Sequence, residues 1–158
     1  MGKLREIIRY ICDHYPYQNE LSKARLTKLV YLADWKFSLK HDRQLTNITW
    51  YFNHYGPYVE DVFDEASNDP NLEIRRDITI FGDPKTIINS KKKSKKYELT
   101  REEIEILNEV IAETKSLYWD QFIDLVYSTF PVKTQDKFST LDLVKSAKEK
   151  KQLTNQST

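Results

Sequence analysis

The chain of 158 residues contains a single cysteine, Cys12, with three glycines and five prolines. One thiol closes no internal disulfide, so the fold must rest on burial, which a chain of this length supplies without a covalent or metal staple. That usage suits a reducing compartment, and a cytoplasmic protein is expected. So few Gly and Pro exclude a loop-rich chain and predict long regular elements. No sign of charge dominates: 25 Lys and Arg face 24 Asp and Glu, a formal net charge of +1. No global field draws the chain to nucleic acid or to an anionic membrane, so any such contact needs a local patch. Long apolar runs are missing too. The longest, near residues 29–32, is far short of the roughly 20 residues of a membrane span, and the N-terminal Met-Gly-Lys-Leu-Arg-Glu lacks a secretory apolar core.

Familiar chemistry is equally absent. There is no Gly-rich phosphate loop, no paired-Cys metal pattern and no Gly-x-Ser-x-Gly elbow, so no cofactor, metal or enzymatic activity is expected. Cys12 and His14 stand two apart on one helical segment, a spacing that does not bring two ligands to one metal. They read as a part-buried thiol and a surface imidazole. Among the histidines, His54 beside a Gly-Pro step is the notable one. It reads either as a catalytic base without an identifiable partner or, with better support, as a side chain that steadies a turn.

What the chain does have is aromatic density, 13% with ten Tyr, concentrated in Trp50-Tyr-Phe-Asn-His-Tyr-Gly-Pro-Tyr-Val59. Alternation predicts a short strand with Trp50, Phe52 and His54 on one face and Tyr51 and Asn53 on the other. Gly56 supplies turn geometry, and Pro57 is expected at the first position of a helix running to about residue 67. Before it, apolar spacing predicts helices at 3–15 and 22–41, the second capped by Ser22. The second is apolar on two sides and therefore central. Asp34 lies between its stripes, either as a surface charge or as the partner of the turn at 44–47. Residues 40–49 form a polar connector with a short helical turn after Thr46.

Between 72 and 99 the period changes to that of strands, with Gly82-Asp-Pro84 as a hairpin turn and a third strand at 96–99. The only dense charge run, Lys91, Lys92, Lys93, Lys95 and Lys96, then falls at a hairpin tip. It reads as a phosphate-binding wing or, more simply, as a solvated loop. Thr100-Arg-Glu-Glu103 is a capping box opening a helix to about 115. A further helix to Phe130, stopped by Pro131, and a last one from 139 or 140 to about 150 complete an α+β single domain. It comprises about six helices and a small antiparallel sheet over 1–151, with a frayed tail at 152–158.

An ordered set of these segments resembles the Panacea domain of SocA-like antitoxins, a phage-associated family. The segments are Leu26-Thr-Lys-Leu-Val-Tyr-Leu-Ala-Asp34, Gln44-Leu45, the aromatic stretch through Tyr55-Gly-Pro-Tyr-Val59, and Leu125-Val-Tyr-Ser-Thr-Phe-Pro131. The likeness extends over roughly residues 4–135. Gln44 stands where the family often has Pro, and Tyr58 where Val is common. The resemblance implies a non-enzymatic antitoxin that neutralises a cognate toxin by direct contact, the toxin being encoded next to it. It also implies that some members act as protease adaptors. The candidate partner-binding residues are Tyr51, His54, Tyr55, Gly56, Pro57 and Tyr58. Nucleic-acid binding through the lysine run is the rival.

Overall fold

The computed structural model describes residues 2–156. Seven α-helices and five short strands follow in chain order. They are α1 (Lys3–His14), α2 (Lys23–His41), β1 (Trp50–Asn53), β2 (Gly56–Tyr58), α3 (Asp61–Ser67), β3 (Leu72–Ile78), β4 (Pro84–Ser90), α4 (Arg101–Thr114), α5 (Trp119–Tyr127), α6 (Phe130–Thr134), β5 (Thr140–Leu141) and α7 (Leu143–Gln156). A 3₁₀ turn at Gln18–Glu20 links the first two helices. The α+β class is as expected. Among the described residues no helix is long and apolar enough to cross a membrane.

Helix α2 is the axis of the molecule. Thirteen of its residues, from Arg25 to Ser38, are buried, because α1, α3, α4, α7 and the first hairpin all pack on it. A helix apolar on two sides needs such partners on both flanks. Ser22 caps it, its Oγ accepting from the Arg25 N–H at 3.1 Å. Asp42 ends it in the left-handed region at φ 58. The core runs from Ile7, Ile8 and Ile11 of α1 through Leu26, Leu29, Val30 and Phe37 to Leu107 and Val110 of α4 and Phe122 of α5.

Two separate sheets form. One has the order β2-β1-β5, antiparallel throughout; the other is the β3-β4 hairpin alone. In the first, Phe52 stands opposite Pro57 and Asn53 opposite Gly56. Pro57 is therefore an edge-strand residue, where its missing N–H costs no ladder bond, and not the start of a helix. Helix α3 begins four residues later. Gly56 takes φ +97 just after the two-residue turn, the conformation that needs glycine.

Several expectations are corrected. No helical turn follows Thr46, because its N–H and hydroxyl, with the Gln44 amide, bond to Asp34 instead. No strand forms at 96–99; Tyr97 instead donates its hydroxyl to Asp13 on α1 at 2.5 Å. The lysine run lies in the β4–α4 connection, while the hairpin tip is at 79–83. The predicted helix through Phe130 breaks at Ser128-Thr129, and Pro131, fixed in φ, sits in the first turn of α6 rather than stopping a helix. Thr140 and Leu141 pair with β1 instead of opening the last helix, and Asp142 caps α7, its Oδ1 accepting from the Lys145 N–H at 3.0 Å. The expected frayed tail is mostly helical, as α7 continues to Gln156; residues 157–158 of that tail lie outside the described residues.

A candidate partner-binding cleft

Three polar residues three apart on α2, Lys28, Tyr31 and Asp34, face the first hairpin. Asp34 is fully buried. Its Oδ1 accepts from the Thr46 N–H at 2.8 Å. Its Oδ2 accepts from Thr46 Oγ1 at 2.5 Å and from the Trp50 indole at 2.8 Å, with Gln44 Nε2 at 3.4 Å. Burial pushes the Asp34 carboxyl above its ordinary range, opposed by the bonds from Thr46 and Trp50. Of the two readings of this residue, the partner of the 44–47 turn is the one observed. The Tyr31 ring meets Trp50 edge-on at 5.5 Å, and its hydroxyl shares a 2.8 Å hydrogen bond with Thr129. Together these fix Trp50 at the root of β1 and set where the hairpin points.

Lys28 is buried like its neighbours, 2% exposed, yet it serves no such structural purpose. Its ammonium has no carboxylate or hydrogen-bond acceptor among the described residues. It lies over the face of Tyr58, 5.7 Å from the ring centre. Burial alone drives its pKa down to about 8. Arg25, one turn earlier and equally buried, is fully matched. It donates to Tyr15 Oη at 2.9 Å and to the Leu117 carbonyl at 3.1 Å, and its guanidinium stacks 4.6 Å over Phe122.

Lys28 lines a cleft of about 460 Å³ closed by Asn53, Tyr55 and Tyr58 of the first hairpin and by Trp119, Ile123 and Tyr127 of α5. Gly56 brings the hairpin backbone against Tyr127: a Cβ there would lie 3.6 Å from the ring. A larger hollow of about 590 Å³ follows the connector at 43–48, but its lysine, Lys3, already pairs with Glu103.

The six candidate contact residues divide. Tyr55 is 82% exposed at the hairpin turn, and Tyr51 and His54 are also exposed. Tyr58 is half-buried, its hydroxyl donating to Glu60 at 3.0 Å. Gly56 and Pro57 are buried and can only shape the turn. Alternation put His54 on the same strand face as Trp50 and Phe52. The strand ends at Asn53, so it turns outward and packs edge-on against Phe138 at 4.9 Å. Phe138 itself holds the left-handed region at φ 63 while half exposed, a strained position for an aromatic residue. Its N–H donates to the Phe52 carbonyl at 2.6 Å, and that tie keeps it there.

Sequence reasoning missed Phe138 and Trp119, exposed beside the hairpin, and Tyr118, exposed at the start of α5. By helical spacing Trp119 shares a stripe with Phe122 and Val126, the buried residues of α5. The helical spacing was right, but the stripe's first residue overhangs the end of the core. The lysines at 91–96 are exposed, in a loop tied to α1 by the Ser94 N–H to Asp13 Oδ2 at 3.0 Å. Cys12 is wholly buried, burial raising its thiol pKa; His14 is exposed and stacked on Tyr10 at 4.0 Å. Among the described residues no cluster of His, Cys, Asp and Glu is arranged to hold a metal.

A family model described as antitoxin SocA-like, Panacea domain, matches residues 26–130. The match begins in α2, ends at the start of α6, and takes in every cleft residue named above. Comparison with curated proteins and with solved structures returned no match.

Proposed function

This chain belongs to the SocA-like antitoxin family built on the Panacea domain; from that premise we propose that it neutralises a cognate toxin by binding it directly through the first hairpin and the cleft beneath it. The family supports an antitoxin role in general. The observation that carries the finer reading is the exposed aromatic surface at one place: Tyr51, His54 and Tyr55 on the hairpin, Trp119 on α5 and Phe138 beside β1. Aromatic side chains give large contact area for little conformational entropy and dominate binding energy at interfaces. Here they stand on a hairpin whose root is fixed by Asp34, Tyr31 and Trp50, so little ordering cost remains on binding. The protein acts as a binder in the cytoplasm and not as an enzyme.

The test is co-expression with the adjacent open reading frame. Growth stops when the neighbour is expressed alone, recovers with this chain, and the two copurify. Tyr55→Ala combined with Phe138→Ala abolishes recovery. A harmless neighbour that does not copurify would leave the family membership as a statement of fold only. The adaptor activity implied by the resemblance is read in the same cells, as a protease-dependent fall in toxin level when this chain is present.

A further inference from the structure

The cleft contains donors and no anion. Lys28 stands at its wall, its stem buried and its unpaired ammonium open to the cleft. Asn53 has its Oδ1 occupied by the His54 N–H at 2.9 Å, which leaves its amide nitrogen as a donor. The Tyr127 hydroxyl makes no hydrogen bond with the described residues, and burial raises its pKa. No Asp or Glu is among the lining residues. A partly desolvated cation without a counter-ion costs stability, and the usual remedies are pairing or neutralisation. Arg25 shows that this fold can match a buried cation on the same helix. Lys28 has no such match among the described residues, and its ammonium faces a cleft that a group from outside the chain can enter.

The cleft's shape narrows what that partner is. A single ammonium, one amide and one phenol suit the two oxygens of a carboxylate. They do not suit a phosphate or polyphosphate, which calls for several cations or a row of backbone N–H groups. The walls are aromatic, which suits an apolar stem behind the acid. The opening lies on the same surface as Tyr55 and Trp119, the exposed aromatics of the proposed interface.

We propose that Lys28 is a partner-binding residue: the cleft receives an aspartate or glutamate side chain of the bound toxin, whose carboxylate pairs with the Lys28 ammonium. This rests on the toxin-binding reading above. The residue contributes specificity as well as affinity, since a toxin surface lacking an acid at this position would leave the ammonium buried and unpaired beneath it.

The experiment uses the full chain and its copurified toxin. Dissociation constants are measured for the wild type and Lys28→Met, alongside thermal melts of each antitoxin alone. The expected result is binding weakened about thirtyfold or more, with a melting temperature above that of the wild type. A residue kept for folding would give the opposite shift in the melt. Each Asp and Glu of the toxin is then changed to its amide. One such variant should reproduce the loss and show no further loss when combined with Lys28→Met. That toxin-side scan decides the matter even if Lys28→Met fails to fold. Equal affinity of wild type and Lys28→Met, or a scan in which no acid matters, overturns the proposal and leaves toxin binding standing. Failure of the wild type to bind any toxin overturns the binding reading itself. Micromolar binding of N-acetylglutamate by the antitoxin alone would also overturn the proposal, making the occupant a free carboxylate ligand.

Discussion

The two hairpins of this molecule are built on opposite principles. The β1–β2 hairpin has only three paired positions, but its first strand is anchored at every level. Trp50 and Phe52 are buried, Trp50 is bonded to Asp34, and β5 pairs along its other edge. The β3–β4 hairpin pairs seven positions in unbroken register, yet only its root is buried, at Leu72, Ile87 and Ile88. Its far end carries Ile78, Ile80 and Phe81 in solvent, the last two 94% and 85% exposed. Backbone pairing sets the length of a hairpin. Burial and side-chain bonds to the core set how firmly it is aimed. The proposed contact surface is on the firmly aimed one.

The largest effect is expected from removing that anchor. Asp34→Ala deprives the Thr46 N–H, the Thr46 hydroxyl and the Trp50 indole of their acceptor at once, all in the interior. Unmatched buried donors cost about 1–3 kcal/mol each, so a loss of roughly 3–5 kcal/mol is expected. Urea denaturation measures it. A loss under 1 kcal/mol would mean the hairpin is held by packing alone and would remove the contrast between the two. Asp34→Asn, which keeps the shape and one acceptor, should fall between.

Lys28→Met sharpens the comparison from beneath. The folded protein holds this ammonium at a pKa of about 8, against a model-peptide value of 10.5. The unfolded chain therefore binds the proton more tightly, and wild-type stability rises as pH increases from about 8 toward 10.5. Below pH 8 the full penalty is present, on the order of 3 kcal/mol. The Met variant should be more stable than wild type by that order at pH 7, with the difference shrinking above pH 8. The burial-raised tyrosines at this place, Tyr58 and Tyr127, make stability fall at higher pH. They are common to both proteins and cancel in the difference. A pH-independent difference would show that folding leaves the pKa of this ammonium unchanged.

Gly56→Ala comes next. The added methyl meets Tyr127 at an ordinary 3.6 Å, so the cost is conformational: φ +97 is strained for any residue with a Cβ. A loss of about 1–2 kcal/mol is expected, together with weaker toxin binding as the turn shifts Tyr55. Gly56→Asn, which tolerates positive φ better, should recover part of both. Equal stability of wild type and Gly56→Ala would mean the turn is free to change type.

Much of this arrangement was legible in the sequence because it is local. Helices α1, α2 and α4, the Ser22 cap and the Thr100 capping box follow from periodicity and from residues that carry their own hydrogen bonds. The aromatic strand and its Gly56 turn were readable for the same reason. The Pro57 error has a physical cause. A fixed φ near −65° suits both a first helical turn and an edge strand, and only pairing with Phe52 across the hairpin chooses between them. Thr140 and Leu141 look like a helix cap until β1 offers an edge. The cleft itself was not readable. Lys28 and Trp119 are 91 positions apart, and an interior helix gives no sign that one of its lysines lacks a counter-ion. Asp34 was half visible, as a residue of the wrong polarity between two apolar stripes.

The smallest effect tests the other hairpin. Ile80 and Phe81 sit at the β3–β4 turn, where Thr79 Oγ1 accepts from the Phe81 and Asp83 N–H groups at 3.3 and 3.1 Å and Gly82 takes φ +83. The turn is thus closed by Thr79 and the backbone, with both large side chains outside it. Replacing Ile80 and Phe81 together by Ser removes apolar surface that burial never reached, so the unfolding free energy from urea denaturation should change by less than about 0.5 kcal/mol. Solubility should rise, since an exposed apolar hairpin end invites edge-to-edge association. A loss above about 1.5 kcal/mol would mean that the tip packs against the body in solution. Both hairpins would then be held by their side chains, and the distinction would reduce to one of length.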